Sequence, residues 1–205
     1  YDGLTRFSDG AVRTYSVADG LRNTFIWALH EDRIGRMWLG TSAGLVLFDG
    51  LTFKTYELDP DRSENIVRAI LQDRRGNLWV GTSENGLNLF KDGKFTSYTV
   101  KDGLGNNSVH TLLEAADGSL WIGTISGLSK FRNGVIRTYG LRDGLSSDII
   151  RCLYQDVDGI LWIGTDGGGL IRMKNDRFNS YTQSEGLFDD VVSQILEDDT
   201  GNLWM

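Results

Sequence analysis

Short runs of alternating apolar and polar residues, bounded by Gly, Asp and Asn, fill this chain and recur in register. The most regular is Leu78-Trp79-Val80-Gly81-Thr82, which returns at Met37–Thr41, Leu120–Thr124 and Leu161–Thr165 and, shortened, at residues 203–205. Its tryptophans, Trp38, Trp79, Trp121, Trp162 and Trp204, stand 41, 42, 41 and 42 residues apart. That period belongs to propeller blades or to helical-repeat arrays. A helical repeat needs apolar spacing of three and four over ten or more residues, whereas these runs are short, β-branched and aromatic. The pattern therefore predicts strands.

Each repeat reads as four of them. The first is the apolar run at 25–31, 66–72, 108–114, 149–155 and 191–197, and the Leu-Trp stretch is the second. A third strand lies at 3–7, 44–48, 86–90, 127–131 and 169–173, and a fourth, ending in tyrosine, at 12–15, 53–56, 95–98, 136–139 and 178–181. Between fourth and first strands runs a loop with Asp19-Gly20-Leu21, Asp102-Gly103-Leu104, Asp143-Gly144-Leu145 or Glu185-Gly186-Leu187; in the second repeat 59–63 replaces it. Twenty strands make an all-β β-propeller of five four-stranded blades, the last closed by two strands from each terminus. The expectation is one domain over residues 1–205; the alternative is a five-repeat piece of a larger ring. Radial closure leaves only short, protected strand edges.

Composition narrows the function. With 205 residues, 40% of them hydrophobic, the chain can bury a core. A net charge of −7 with scattered Lys and Arg argues against a nucleic-acid partner. Cys152 is the only cysteine, so no intrachain disulfide forms, and no apolar run is long enough to cross a membrane, so this segment has no direct membrane contact. Turns such as Asp73-Arg74-Arg75-Gly76-Asn77 invite a calcium-loop reading, but their arginines oppose it; a hairpin with Asp accepting backbone N–H groups fits better. His30 and His110 fall in different columns of different repeats, so no metal site is expected, and no cofactor either. No nucleophile, base and orienting acid can be assembled from the motifs. The chain reads as a binding module, not an enzyme.

Binding chemistry belongs where the repeats disagree. After the apolar position Ile26, Val67, Val109, Ile150 and Val192, one column reads Trp27, Arg68, His110, Arg151 and Ser193. The first strand lies nearest the axis of a propeller, which places this column around one mouth of the channel. A Trp, two Arg and a His suit a ligand with a flat apolar face and an acidic group, such as a uronic-acid or sulfated sugar. At the other end of the first strand, Glu31, Gln72, Glu114, Gln155 and Glu197 form an acidic or amide column expected to be solvated and to hold the hairpin turns. The repeated tryptophans are expected to be core.

The residues 67–73, Gly76, Leu78–Thr82, Gly86-Leu87, Phe90, Phe95 and Tyr98, echoed in the other repeats, resemble the two-component regulator propeller repeats of bacterial sensor proteins. The resemblance covers essentially the whole chain. It implies a periplasmic or extracellular sensor region of a hybrid histidine kinase, recognising oligosaccharides from polysaccharide breakdown, in a parent chain that carries a membrane helix and a kinase. Family members usually have more repeats and a β-sandwich downstream, which this sequence lacks. The resemblance assigns no functional residue to a numbered position. The other reading is a structural repeat scaffold, or a propeller fragment, with no ligand of its own.

Overall fold

A computed structural model describes residues 3–58 and 66–205. The chain divides into two compact units, Tyr1–Ser97 and Tyr98–Met205. The replacement loop of the second repeat, at 59–63, lies outside the described residues.

In the first unit, β1 (Leu4–Ser8) and β2 (Ala11–Tyr15) form a two-stranded sheet. A four-stranded sheet of β3 (Ile26–Glu31), β4 (Met37–Thr41), β5 (Gly44–Phe48) and β6 (Phe53–Tyr56) follows. Next come β7 (Val67–Gln72), β8 (Leu78–Thr82), β9 (Leu87–Lys91) and β10 (Lys94–Tyr98), again one sheet, whose last strand carries the boundary between the units. The second unit holds the sheet β11 (Val109–Glu114), β12 (Leu120–Thr124), β13 (Gly127–Arg132) and β14 (Val135–Tyr139). After it stands the sheet β15 (Ile150–Gln155), β16 (Leu161–Thr165), β17 (Leu170–Lys174) and β18 (Arg177–Tyr181). The pair β19 (Leu196–Glu197) and β20 (Leu203–Trp204) completes it. Every four-stranded sheet is an antiparallel meander. Four full sheets and two two-stranded ones are the set of strands that the repeat pattern predicts for five blades.

Glycine in the second strand sets how closely neighbouring blades approach. A Cβ on Gly40 would stand 2.6 Å from the Val67 carbonyl oxygen, and one on Gly123 would stand 2.7 Å from the Ile150 side chain. Within its unit β7 thus lies directly on β4, and β15 on β12. The threonine that follows the glycine ties off the turn to the third strand: Thr41, Thr124 and Thr165 are buried and donate to the carbonyls of Gly44, Gly127 and Gly169 at 2.8–2.9 Å.

The tryptophans are core where a full blade covers them. Trp38 packs against Tyr56 and, at 5.5 Å between ring centroids, against Phe90 of the next blade. Trp121 joins Tyr139, Leu161 and Met173 in the core of the second unit. Trp79 is equally buried, so each of these three indoles is worth about 3 to 5 kcal/mol against alanine. Trp162, expected to be core, is half-buried, and Trp204 is 62% exposed.

The Asp-Gly-Leu loops are single turns of 3-10 helix at Val17–Asp19, Val100–Asp102, Leu141–Asp143 and Gln183–Glu185. Asp102 explains their conservation of pattern: its carboxylate accepts the Thr99 backbone N–H at 2.8 Å and the Thr99 hydroxyl at 3.1 Å, closing a capping box. Gly103 then ends the turn at φ 100°, in the left-handed region. Leu21, Leu104 and Leu145 plug the blades beneath.

Candidate functional site: the bulged inner strands

The four complete first strands share an irregularity that the sequence does not announce. Pairing steps over one residue between Ile26 and Ala28, Val67 and Ala69, Val109 and Thr111, and Ile150 and Cys152. The residues stepped over are Trp27, Arg68, His110 and Arg151, the variable column. A β-bulge leaves its extra residue out of the ladder and re-aims its side chain. The backbone therefore frees this position from the apolar alternation on either side, which is why its identity can vary while its neighbours remain apolar.

The re-aimed side chains reach the residue that follows the buried threonine. Trp27 Nε1 donates to Ser42 Oγ at 2.9 Å, Arg68 Nε to Ser83 Oγ at 2.6 Å, and Arg151 Nη2 to Asp166 Oδ2 at 2.6 Å. In the remaining blade that place holds Ile125, which offers no acceptor, and His110 Nε2 lies 3.4 Å from Ser108 Oγ instead. In the first unit the structure brings two predicted residues together: the Arg68 guanidinium carbon stands 4.9 Å from the centroid of the Trp27 ring. Trp27 remains 48% exposed, so this cation–π pair presents an aromatic face and a charge to solvent. In the second unit His110 and Arg151 sit on β11 and β15, which pack on each other.

Ser193, the fifth residue of the column, is not at a bulge. The strand expected over 191–197 is seen at Leu196–Glu197, paired with Leu203–Trp204. Ser193 lies in an exposed connection, outside any ladder.

Within each unit the connecting loops gather at the bulged end of the blades. Ser42 N–H donates to the Phe25 carbonyl and Ser83 N–H to that of Ile66. Asn106 Nδ2 donates to Ser126 Oγ at 3.2 Å, while Ser146 and Ser147 donate to the carbonyls of Gly168 and Asp166 at 2.6 and 2.8 Å.

The opposite end of the blades is made by the hairpins between first and second strands. Asp32, Asp73, Asp156 and Asp198 each use one carboxylate oxygen for two backbone N–H groups of the turn. The other oxygen accepts the indole N–H of the tryptophan six residues on, at 2.8–3.0 Å. These carboxylates are consumed by the fold, so the hairpin reading stands and the calcium reading falls. The amide column holds the turns as expected: Gln72 Oε1 accepts Arg33 N–H at 3.0 Å, and Gln155 Oε1 accepts Ala116 N–H at 2.7 Å. His30 belongs to the same scaffold, since its Nε2 accepts the Gln72 N–H at 3.2 Å and burial pushes its pKa down.

One hairpin departs from the rule. Residue 115 is alanine, and Trp121 there has no carboxylate to receive its N–H. Beside it lies a cavity of about 390 Å³ bounded by Ala115, Asp117, Trp121, Lys130, Gln155 and Asn175, among others. Sequence reasoning missed this place, although Ala115 in a column of aspartates is its signal.

Four segments of the chain, residues 20–43, 61–84, 103–126 and 144–167, match the family model of the two-component regulator propeller. No curated protein matches. Among solved structures, the extracellular domain of the hybrid two-component system BT3049 from B. thetaiotaomicron is 23% identical with a TM-score of 0.73, over 99% of this chain and 36% of its own. That of BT4673 from the same organism is 22% identical with a TM-score of 0.73, over 88% of this chain and 28% of its own. Virginiamycin B lyase from Staphylococcus aureus shares the fold at 15% identity and a TM-score of 0.67, over 84% of this chain and 60% of its own. The chain thus spans about a third of the length of the sensor domains it matches. Its matched segments each run from the Asp-Gly-Leu loop or its replacement to the residues after the Leu-Trp strand, and these four segments are repeats of the two-component regulator propeller type.

Proposed function

We propose that this chain is a non-enzymatic, ligand-binding sensor module, periplasmic or extracellular, whose five repeats form one propeller domain. The bulge residues Trp27, Arg68, His110 and Arg151 recognise an oligosaccharide carrying an acidic group. The observation that carries the reading is the repeated bulge, which turns one variable side chain per blade out of the ladder at the loop-rich end. The exposed Trp27–Arg68 pair supplies a stacking face beside a guanidinium, the chemistry a sugar acid needs. The extracellular sensor domains that share its fold support the location and a longer parent chain with a membrane helix and a histidine kinase. Among the described residues no helix is long and apolar enough to cross a membrane.

The reactive groups of the chain support binding over turnover. Burial pushes the Cys152 thiol up to about 11, far from a thiolate nucleophile at neutral pH, and its Sγ donates to the Val192 carbonyl. His30 is spent on the Gln72 backbone.

A thermal-shift screen against neutral, uronic and sulfated oligosaccharides tests this reading. Ligand at a hundredfold excess over its dissociation constant stabilises by about 2.7 kcal/mol. A rise with acidic sugars that disappears in Arg68→Ala and Arg151→Ala is expected; a rise unchanged in both variants would place recognition elsewhere. The pairing of these side chains with Ser42, Ser83 and Asp166 favours a second reading, a scaffold whose bulge residues serve its own turns. A cooperative melt that no sugar moves would select it.

A further inference from the structure

The notch left by Ala115 lies at the end of the blades opposite the bulges. In the sibling hairpins the tryptophan N–H is capped by aspartate, as Trp162 is by Asp156 at 2.8 Å. Trp121 is 96% buried, yet among the described residues its N–H has no protein acceptor, and the ring borders the 390 Å³ cavity. No buried polar side-chain atom of the described residues is sealed off without a partner, so this nitrogen faces the cavity and not the closed core. A donor that opens on a cavity in this way offers its hydrogen bond to an incoming acceptor.

The lining decides the class of ligand. Asp117 sits two residues from the vacancy, takes the Ser119 backbone N–H at 3.0 Å, and faces Lys130 Nζ at 3.3 Å and Arg132 Nη1 at 3.4 Å. Burial works against its charge, but the bonds from Ser119 and the charge of Lys130 bring its carboxyl down to about 2, so it is ionised. A second carboxylate beside it would be repelled. Lys130 and Lys174 face Asp117, Asp158 and Asp176 around the cavity, which gives no excess of positive charge to hold an anion. Asn175 adds a donor and an acceptor, while Gln155 on the same wall is already bonded to the Ala116 N–H and the Gly159 carbonyl. The Trp121 N–H and the Asn175 amide are matched by hydroxyls, which give and accept hydrogen bonds, and the volume lies in the range of small-ligand pockets.

We infer that the cavity between the Ala115 hairpin and β17 binds an uncharged pyranose, one of whose oxygens accepts the Trp121 indole N–H in place of the missing aspartate.

The test follows the indole N–H signals by ¹H–¹⁵N nuclear magnetic resonance, with Trp121 assigned through Trp121→Phe, during titration with glucose, galactose, mannose and glucuronate. The Trp121 signal is expected to move to saturation with at least one neutral pyranose, while the aspartate-capped Trp38 and Trp162 signals stay in place. Ala115→Asp restores the carboxylate its siblings carry, so it keeps the fold and must abolish the response; Arg68→Ala must leave it intact. A Trp121 signal unmoved by all three neutral sugars, an equal response in Ala115→Asp, or a stronger response to glucuronate than to glucose would each overturn the inference.

Discussion

The carboxylate of Asp73 accepts the indole N–H of Trp79 at 2.9 Å while its other oxygen holds the N–H groups of Arg75 and Asn77. One side chain thus sets the turn, orients the largest core residue of its blade and leaves no lone pair for a metal or ligand. Asp73→Ala strands a buried indole donor and opens the turn, and is expected to destabilise by about 1 to 3 kcal/mol. Asp73→Asn, which can accept the indole bond but not bear the charge, should lose less. Chemical unfolding of the two variants beside the parent protein measures both; equal stability of all three would show that the turn does not depend on the carboxylate.

Acid should weaken the fold in two stages. His30 is held below its ordinary value of 6.5, first by burial, with Asp32 opposing. It contributes stability that is complete above the unfolded value and is lost as the pH falls through the folded one. Burial resists the charge of Asp32 and Asp73, but bonds from the tryptophan indoles, from Arg36 or Asn77, and from the turn N–H groups outweigh it and lower both carboxyls. Their contribution is complete above the unfolded carboxyl value of about 3.9 and disappears below it. Unfolding free energy measured from pH 8 downward should therefore decline gently from about pH 6.5 and steeply from about pH 4. His30→Gln, which keeps an acceptor for Gln72 N–H, should remove the first decline alone. Stability that stayed level down to pH 3 would contradict the assignment.

The blade plan was legible because it is written in periodic side chains. Trp38, Gly40 and Thr41 each have a local task, respectively filling the inter-blade core, admitting Val67 and closing the next turn, and such tasks leave fixed residues at fixed spacing. The variable column was legible for the opposite reason. What the sequence could not show was the bulge itself, since slipping one residue at Trp27 or Arg151 changes backbone pairing without any glycine or proline to mark it. Ser193 lies outside the ladder, where only Leu196 and Glu197 pair with β20, and the apolar run 191–197 carries no sign of that. The notch at Trp121 escaped because Ala115 is a fault only when compared with the Asp–indole bonds of its siblings.

The glycine of the Leu-Trp strand offers the sharpest separation between local and inter-blade effects. Gly123 lies within a strand, where alanine is at least as well tolerated by the backbone, so local propensity predicts a neutral or favourable change. Packing predicts the reverse. A methyl group at 123 would meet Ile150 Cγ2 at 2.7 Å and press on Thr111, and neither β-branched side chain has a free rotation to yield. Overpacking of this kind costs about 1 to 3 kcal/mol. Gly123→Ala is therefore expected to destabilise by that amount, and the double variant Gly123→Ala with Ile150→Ala should recover part of the loss relative to the sum of the two single changes. Double-mutant cycles from urea unfolding read this coupling directly. Additive single effects would mean that β15 does not rest on β12 through this contact, and that the glycine is there for the backbone alone.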